Sequence, residues 1–200
     1  LRDESVIDEI ARAISPAEDD HVVEIGPGEG ALTSALITSG CRMDAIELDR
    51  DLRTLLLANF SVHPKFTLHN ADALTFVYSS LIADEEPLRV VGNLPYNIST
   101  PLIFRLLEAA RYISDMHFML QREVVNRLAA APGTKDWGRL GVMAQFHCEI
   151  EKLFEVPPEA FFPTPKVHSA LVRLTPRLDN PWPDSSAEQV TSVVTRAFAQ

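Results

Sequence analysis

The sequence predicts an α/β fold, a mostly parallel sheet with helices on both faces. Three observations predict it. Short apolar runs alternate with helix-like segments along the first 130 residues. A glycine-rich turn, Gly26-Pro27-Gly28-Glu29-Gly30, joins the first apolar run to the first of these helices. After residue 131 the alternation stops, and two late strand-like runs follow with no long helix between them. Strand–helix–strand repetition within one sheet implies parallel neighbours and crossover helices.

The elements follow in order. Residues 21–26 form a buried strand, with Val22, Val23 and Ile25, and residues 31–38 the helix after it. Residues 43–48 are the second strand and 52–60 the second helix. Residues 66–69 are a short third strand. Residues 89–92 are the fourth, followed by helix-like sequence from Thr100 and Pro101 to Ala110. Residues 117–120 are the fifth, with a helix over 122–130. Ala131-Pro132-Gly133-Thr134 is a break. Residues 140–147 then read as a helix, and 149–156 and 169–174 as strands. The stretch between those strands carries Pro157, Pro158, Pro163 and Pro165, which excludes regular structure and predicts an antiparallel pair. Residues 177–184, with Pro181 and Pro183, read as a linker. Ser185 and Ser186 then cap a helix to Gln200 that has little of its own to pack against.

Composition narrows the function classes. Two hundred residues fit one core domain and the start of another. Hydrophobic content of 46% and mean hydropathy of +0.01 describe an ordinary globular chain. No apolar run approaches the roughly 20 residues of a membrane span, and no charged-then-apolar leader is present, so a soluble, cytoplasmic protein is expected. Cys41 and Cys148 lie in apolar contexts and read as reduced core thiols. The histidines form no HxH or HxxxH pair, so no metal is expected. The formal net charge is -10, and residues 1–120 hold 9 Lys+Arg against 19 Asp+Glu. An acidic surface is a poor stand-alone partner for nucleic acid, so any RNA contact needs basic surface elsewhere.

Asn93-Leu94-Pro95-Tyr96 follows the fourth strand and precedes a helix. Asn supplies a side-chain acceptor. Pro removes an N–H and turns the preceding carbonyl toward a pocket. Tyr offers a flat face for a flat substrate. Such a group at the carboxyl end of a parallel strand suits one task, holding a planar amine in line with an electrophilic methyl group.

The glycine turn by itself fits any tight strand-to-helix connection. It does not fit the dinucleotide GxGxxG, because Gly30 comes one residue early and Pro27 removes a donor that a pyrophosphate would want. Glu47, ending the second strand, can accept both hydroxyls of a ribose, while Asp49 and Asp51 read as solvated acids. Asp72, ending the third, can accept from an adenine amine or cap the following turn, with Ala73 beside it. The glycines Gly26, Gly28 and Gly30, with Glu47, Asp72 and Asn93, fall at the ends of four successive strands. Together they indicate S-adenosylmethionine.

Three motifs in order carry a family resemblance. They are residues 23–33 (VEIGPGEGALT), 93–100 (NLPYNIST) and 161–170 (FFPTPKVHSA). Over essentially its whole length the chain resembles the ribosomal RNA adenine dimethyltransferases, of the KsgA small-subunit type and related to the Erm enzymes. Leu94 favours the small-subunit type, since Erm enzymes usually carry Ile there. His168 stands where the family often has Asp or Asn. The resemblance implies a Rossmann-like class I methyltransferase with a mostly parallel seven-stranded sheet and a late antiparallel strand. It implies a catalytic domain over 1–176, and over 177–200 a linker and the first helix of a small helical domain. It places Leu1 at the edge of the cofactor pocket and pairs Phe161 with Tyr96 around the target adenine. It also implies small-subunit ribosomal RNA as substrate, a monomer, and basic segments outside these 200 residues that would hold the RNA.

The reaction implied is in-line displacement at the sulfonium methyl by the exocyclic amine. Asn93 and a carbonyl of Leu94-Pro95 accept the amine hydrogens and aim its lone pair. The base must leave its stack to reach the site. One of Phe161 and Phe162 is expected in the core. Lys166 and Arg173 are single cations within reach of phosphate. Three alternatives compete with the small-subunit reading: an Erm-like large-subunit RNA methyltransferase, an Asn-Pro-Pro-Tyr type enzyme acting on DNA adenine or protein glutamine, and a non-catalytic ribosome-assembly or transcription factor on the same fold.

Overall fold

A computed structural model describes residues 1–82, 86–95, 97–177 and 186–198. Its seven strands are β1 (His21–Ile25), β2 (Arg42–Ile46), β3 (Phe66–His69), β4 (Leu88–Asn93), β5 (Ile113–Gln121), β6 (Cys148–Val156) and β7 (Ser169–Pro176). They lie in the order β3-β2-β1-β4-β5-β7-β6. The pairs β1–β2, β2–β3, β1–β4 and β4–β5 are parallel. β7 runs antiparallel to both β5 and β6. The chain order reverses between β1 and β4, and in open α/β sheets that is where a crevice opens at the carboxyl strand ends.

Among the described residues there are seven α-helices: α1 (Glu4–Ile14), α2 (Ala31–Ile37), α3 (Arg50–Phe60), α4 (Ser99–Glu108), α5 (Arg122–Leu128), α6 (Arg139–His147) and α7 (Ala187–Ala197). Alternation along the strands divides the core into two. Val22, Met43 and Val91 face α1, α2 and α3, meeting Ile10, Ile14, Leu36, Leu56 and Phe60. Val23, Ile46 and Val90 face the other way, onto α4, α5 and α6, with Leu102, Leu106, Val125 and Leu128. Leu102 and Leu106 stand one turn apart on α4, both fully buried. Each such leucine contributes about 1.5–3 kcal/mol relative to exposure.

The first helix was not anticipated from the sequence. Asp3 caps α1, its carboxylate accepting from the Ser5 and Val6 N–H groups at 2.9 and 3.2 Å. Ile10 and Ile14 bury its inner stripe. Arg89 of β4 clamps the far end, donating to the Ile14 carbonyl at 2.7 Å and pairing with Asp20 and Asp115. At the near end, the Arg2 and Asp3 N–H groups both donate to Ala160 O, in the loop between β6 and β7. The first residues are thereby fastened to that loop.

Other boundaries move by a few residues. Strand β2 ends at Ile46 and β3 at His69, so Glu47 lies one residue past its strand and Asp72 three past. The proline-rich loop contains one 3₁₀ turn, Pro158–Ala160. Helix α7 does find a surface: Val194 is buried and the Thr191 hydroxyl lies 3.8 Å from the Met143 sulfur on α6. Ser186 caps it in a reciprocal pair with Gln189, whereas Ser185 and most of the linker lie outside the described residues. Cys41 and Cys148 are buried and free, and burial pushes both thiols up, Cys148 to about 12. Among the described residues no helix is long and apolar enough to cross a membrane.

Candidate active site

The glycine turn leaves β1 with an open cradle. Gly26 (φ 65°) and Gly28 (φ 61°) both take the left-handed conformation, and a Cβ at either would meet nothing within 4 Å. The Gly26 N–H donates to Ile46 O at 3.0 Å, tying the turn to β2. Gly30 has a different reason to be glycine. It precedes α2 at φ 87°, and a Cβ there would stand 2.5 Å from the Phe60 ring. Its own N–H donates to Pro27 O, so its contribution to a cofactor site is to shape the turn.

Glu47 closes one side of this cradle. It is 8% exposed. One carboxylate oxygen accepts the Asp49 N–H at 2.9 Å and the other lies 3.4 Å from the Gly28 N–H. The Asn70 side-chain amide donates to the Glu47 backbone carbonyl at 2.9 Å, so the β3 end holds the β2 end. Asp49 is the N-cap of α3. Asp72 accepts from the Leu74 N–H at 2.9 Å, the capping role open to it, and is half-buried. The Ala73 side chain belongs to the core and its carbonyl accepts from the Tyr78 hydroxyl.

Glu24 is the acid that motif spacing did not single out. It sits at 2% exposure under the turn, accepting from the Thr33 hydroxyl at 2.6 Å. Burial pushes its carboxyl up to about 7; the Thr33 bond opposes this and the Glu47 charge adds to it. A folded-state value above that of the unfolded chain means the fold holds the proton more tightly. The resulting stabilisation is full below about pH 4.5 and is lost as pH rises to about 7. Glu24→Gln should remove that dependence. Urea unfolding at pH 5 and pH 8 should show the variant gaining on the parent at the higher pH; parallel curves at both would contradict the assignment.

The second half of the site is built on β4. Gly92 permits it: a Cβ there would lie 2.6 Å from the Ile25 carbonyl, so β1 and β4 approach closely where the glycine turn begins. Asn93 ends β4 opposite Met119. Leu94 is buried and donates its N–H to Met119 O at 3.2 Å. The Pro95 carbonyl accepts from the Ile98 and Ser99 N–H groups at the start of α4. Of the two carbonyls of that dipeptide, the one without a hydrogen bond among the described residues is therefore that of Leu94. Tyr96 lies outside the described residues.

Leu1, Asn93, Leu94, Pro95, Phe161 and Phe162 line one cavity of about 310 Å³, with Pro163 and Pro165. Leu1 also lines a second cavity with Gly30 and Ala31, so it stands between the glycine turn and the aromatic pocket. Phe161 is half-buried against the core, and Phe162 is 68% exposed. The expectation that one of the two belongs to the core is met only in part: Phe161 packs against the core without being buried in it. Arg173 and Arg177, by contrast, are paired with Glu151 and Glu149 across β6.

A family model, ribosomal RNA adenine dimethylase, matches residues 1–200. A relative from Pseudomonas aeruginosa, ribosomal RNA small subunit methyltransferase A, is 57% identical over all 200 residues, which span 75% of its length. Among solved structures, a dimethyladenosine transferase from Plasmodium falciparum superposes with a TM-score of 0.87 at 25% identity, covering 100% of this chain and 70% of that one. The 23S rRNA methyltransferase ErmE superposes with a TM-score of 0.81 at 33% identity, covering 100% and 78%.

Proposed function

Because the chain belongs to the ribosomal RNA adenine dimethylase family, we propose that Asn93 and the Leu94 carbonyl hold the amine of a target adenine beside an S-adenosylmethionine site formed by Gly26, Gly28, Glu47 and Asp72. The activity is S-adenosylmethionine-dependent methylation of the exocyclic amine of adenines in small-subunit ribosomal RNA. The observation that carries the residue assignment is the contact of the two half-sites where β1 and β4 approach: the glycine turn with its buried carboxylate on one side, and the cavity of Asn93, Leu94 and Phe161 on the other.

The residues fit that cofactor. Open space stands over Gly26 and Gly28, wide enough for a ligand to approach the backbone. Glu47 offers carboxylate oxygens to ribose hydroxyls, Asp72 and the Ala73 N–H face the base, and Leu1 borders the site. The cofactor supplies an electrophilic methyl group when bound. The protein's part is to bind, orient and exclude water. Asn93 Oδ1 and Leu94 O accept the two amine hydrogens, drawing the nitrogen toward tetrahedral geometry and fixing its lone pair. No side-chain base is needed, since the methylated cation is acidic and gives its proton to water. Phe161, with Tyr96, flanks the adenine ring. Residues 1–176 act as the catalytic domain and 177–200 begin a second, helical one. The protein works in the cytoplasm as a monomer, on the small subunit.

Mass spectrometry of adenosines from small-subunit particles incubated with the protein and isotope-labelled S-adenosylmethionine tests this reading. Labelled dimethyladenosine is expected. Its absence, with cofactor binding intact, would leave a binding role instead. The net charge of -10 and the pairing of Arg122, Arg173 and Arg177 with acids make these 200 residues a weak holder of phosphate. Their affinity for small subunits should be low, with a shallow salt dependence in a titration at several ionic strengths. Tight binding with a steep slope would show that an RNA surface, centred on Lys166, lies within them.

A further inference from the structure

We infer that Phe162 and Arg2 form a second nucleotide subsite, a platform that stacks the base next to the target adenine and steadies its phosphate. The inference rests on the methyltransferase reading above and adds a residue pair that the reaction itself does not use. Phe162 is 68% exposed, an unusual place for a phenylalanine, yet it borders the cavity that holds Asn93, Leu94 and Phe161. Its ring is held. The Arg2 guanidinium carbon lies 4.5 Å from the ring centroid, covering one face. Arg2 is itself anchored, since its N–H donates to Ala160 O at 2.8 Å and its side chain reaches Glu29 of the glycine turn at 3.8 Å. Pro163 on one side and Phe161 on the other restrict the backbone.

An RNA strand that delivers an unstacked adenine to Asn93 must bring its flanking nucleotide to the rim of the same cavity. That base has lost a stacking partner, and an immobilised aromatic ring replaces it regardless of base identity. The phosphate between the two nucleotides meets a guanidinium whose ion pair with Glu29 is long and exposed. Phe161 and Phe162 thus divide the work: the half-buried ring serves the target base, the exposed one its neighbour.

The probes are two short single-stranded RNAs, each with one adenine and with 2-aminopurine at its 5′ or its 3′ neighbour, titrated with the protein at low salt in the presence of S-adenosylhomocysteine. One of them should be quenched on binding, as a stacked fluorophore is. Phe162→Ala should abolish that quenching and weaken binding about tenfold, within the range for losing one stacked base. Phe162→Trp should restore both. On small-subunit RNA, Phe162→Ala should raise KM while kcat stays within about twofold. Absence of quenching by the parent protein with either probe, or equal quenching by Phe162→Ala, overturns the platform. So does a fall in kcat with unchanged KM. Asn93→Ala separates the two ideas: it should slow methyl transfer by about 10²–10³-fold while leaving the quenching intact, so a failed methyltransferase reading and a failed platform give different results.

Discussion

Asn93→Ala is expected to lower turnover on small-subunit RNA by about 10²–10³-fold, the usual cost of removing one preorganised acceptor or donor at a reacting centre. The affinity for S-adenosylmethionine should barely move. Asn93 ends β4, at the seam between the half-sites, and its amide oxygen acts on the amine hydrogens, which become more acidic as the new N–C bond forms. The lost interaction therefore belongs to the transition state, and kcat and kcat/KM should fall together. The Leu94 carbonyl remains in the variant, since Leu94 stays locked to Met119, so some activity should persist. Single-turnover rates with calorimetry of cofactor binding make the measurement. A drop below about tenfold, roughly 1.4 kcal/mol, would remove Asn93 from its proposed role.

The second large effect is on the cofactor. Glu47→Ala should weaken S-adenosylmethionine by about 1–3 kcal/mol, the cost of leaving ribose hydroxyls unpaired in a closed site. The same carboxylate holds the Asp49 N–H and leans on the Gly28 N–H, so part of the loss will come through the shape of the turn. Glu47→Gln keeps one acceptor for Asp49 and should recover part of the affinity. Kcat at saturating cofactor should change little in either variant. Unchanged binding in Glu47→Ala, read by titration calorimetry, would take Glu47 out of the site.

The residues legible in the sequence were those whose chemistry is local. Gly26 and Gly28 need positive φ and Asn93 ends an apolar run, whereas Phe161 was marked only by the resemblance of its motif. Strands with near-continuous apolar runs, such as 22–25, announce themselves because they are buried on both faces. The parts that were missed depend on partners far along the chain. Helix α1 carries only a narrow apolar stripe among acids, and what fastens it is Arg89, about 75 residues away. Buried His21 and Asp44 and half-buried His69, joined at 2.6 and 2.5 Å, unite three strands. No spacing rule reveals such a set. Glu24 looked like part of a motif, but its distinction is burial beside Thr33 and Glu47. Gly30 resembled its neighbouring glycines and Gly92 read as one more strand residue, yet they are needed for the Phe60 ring and the Ile25 carbonyl.

The strand order has an engineering consequence. Every residue proposed to touch the cofactor, apart from Leu1 and Asn93, hangs from β1, β2 or β3, while the pocket wall at Phe161 and Phe162 hangs from the hairpin of β6 and β7 at the opposite edge of the sheet. Among the strands β4 serves both, and Leu1 borders both. The molecule is thus modular about a single strand. Grafting the 157–168 loop from a relative with another RNA target, with the Ala160 carbonyl bonds to Arg2 and Asp3 kept, should transfer target preference and leave cofactor affinity where it was. Diversification of this scaffold can proceed at one edge of the sheet without renegotiating the chemistry at the other.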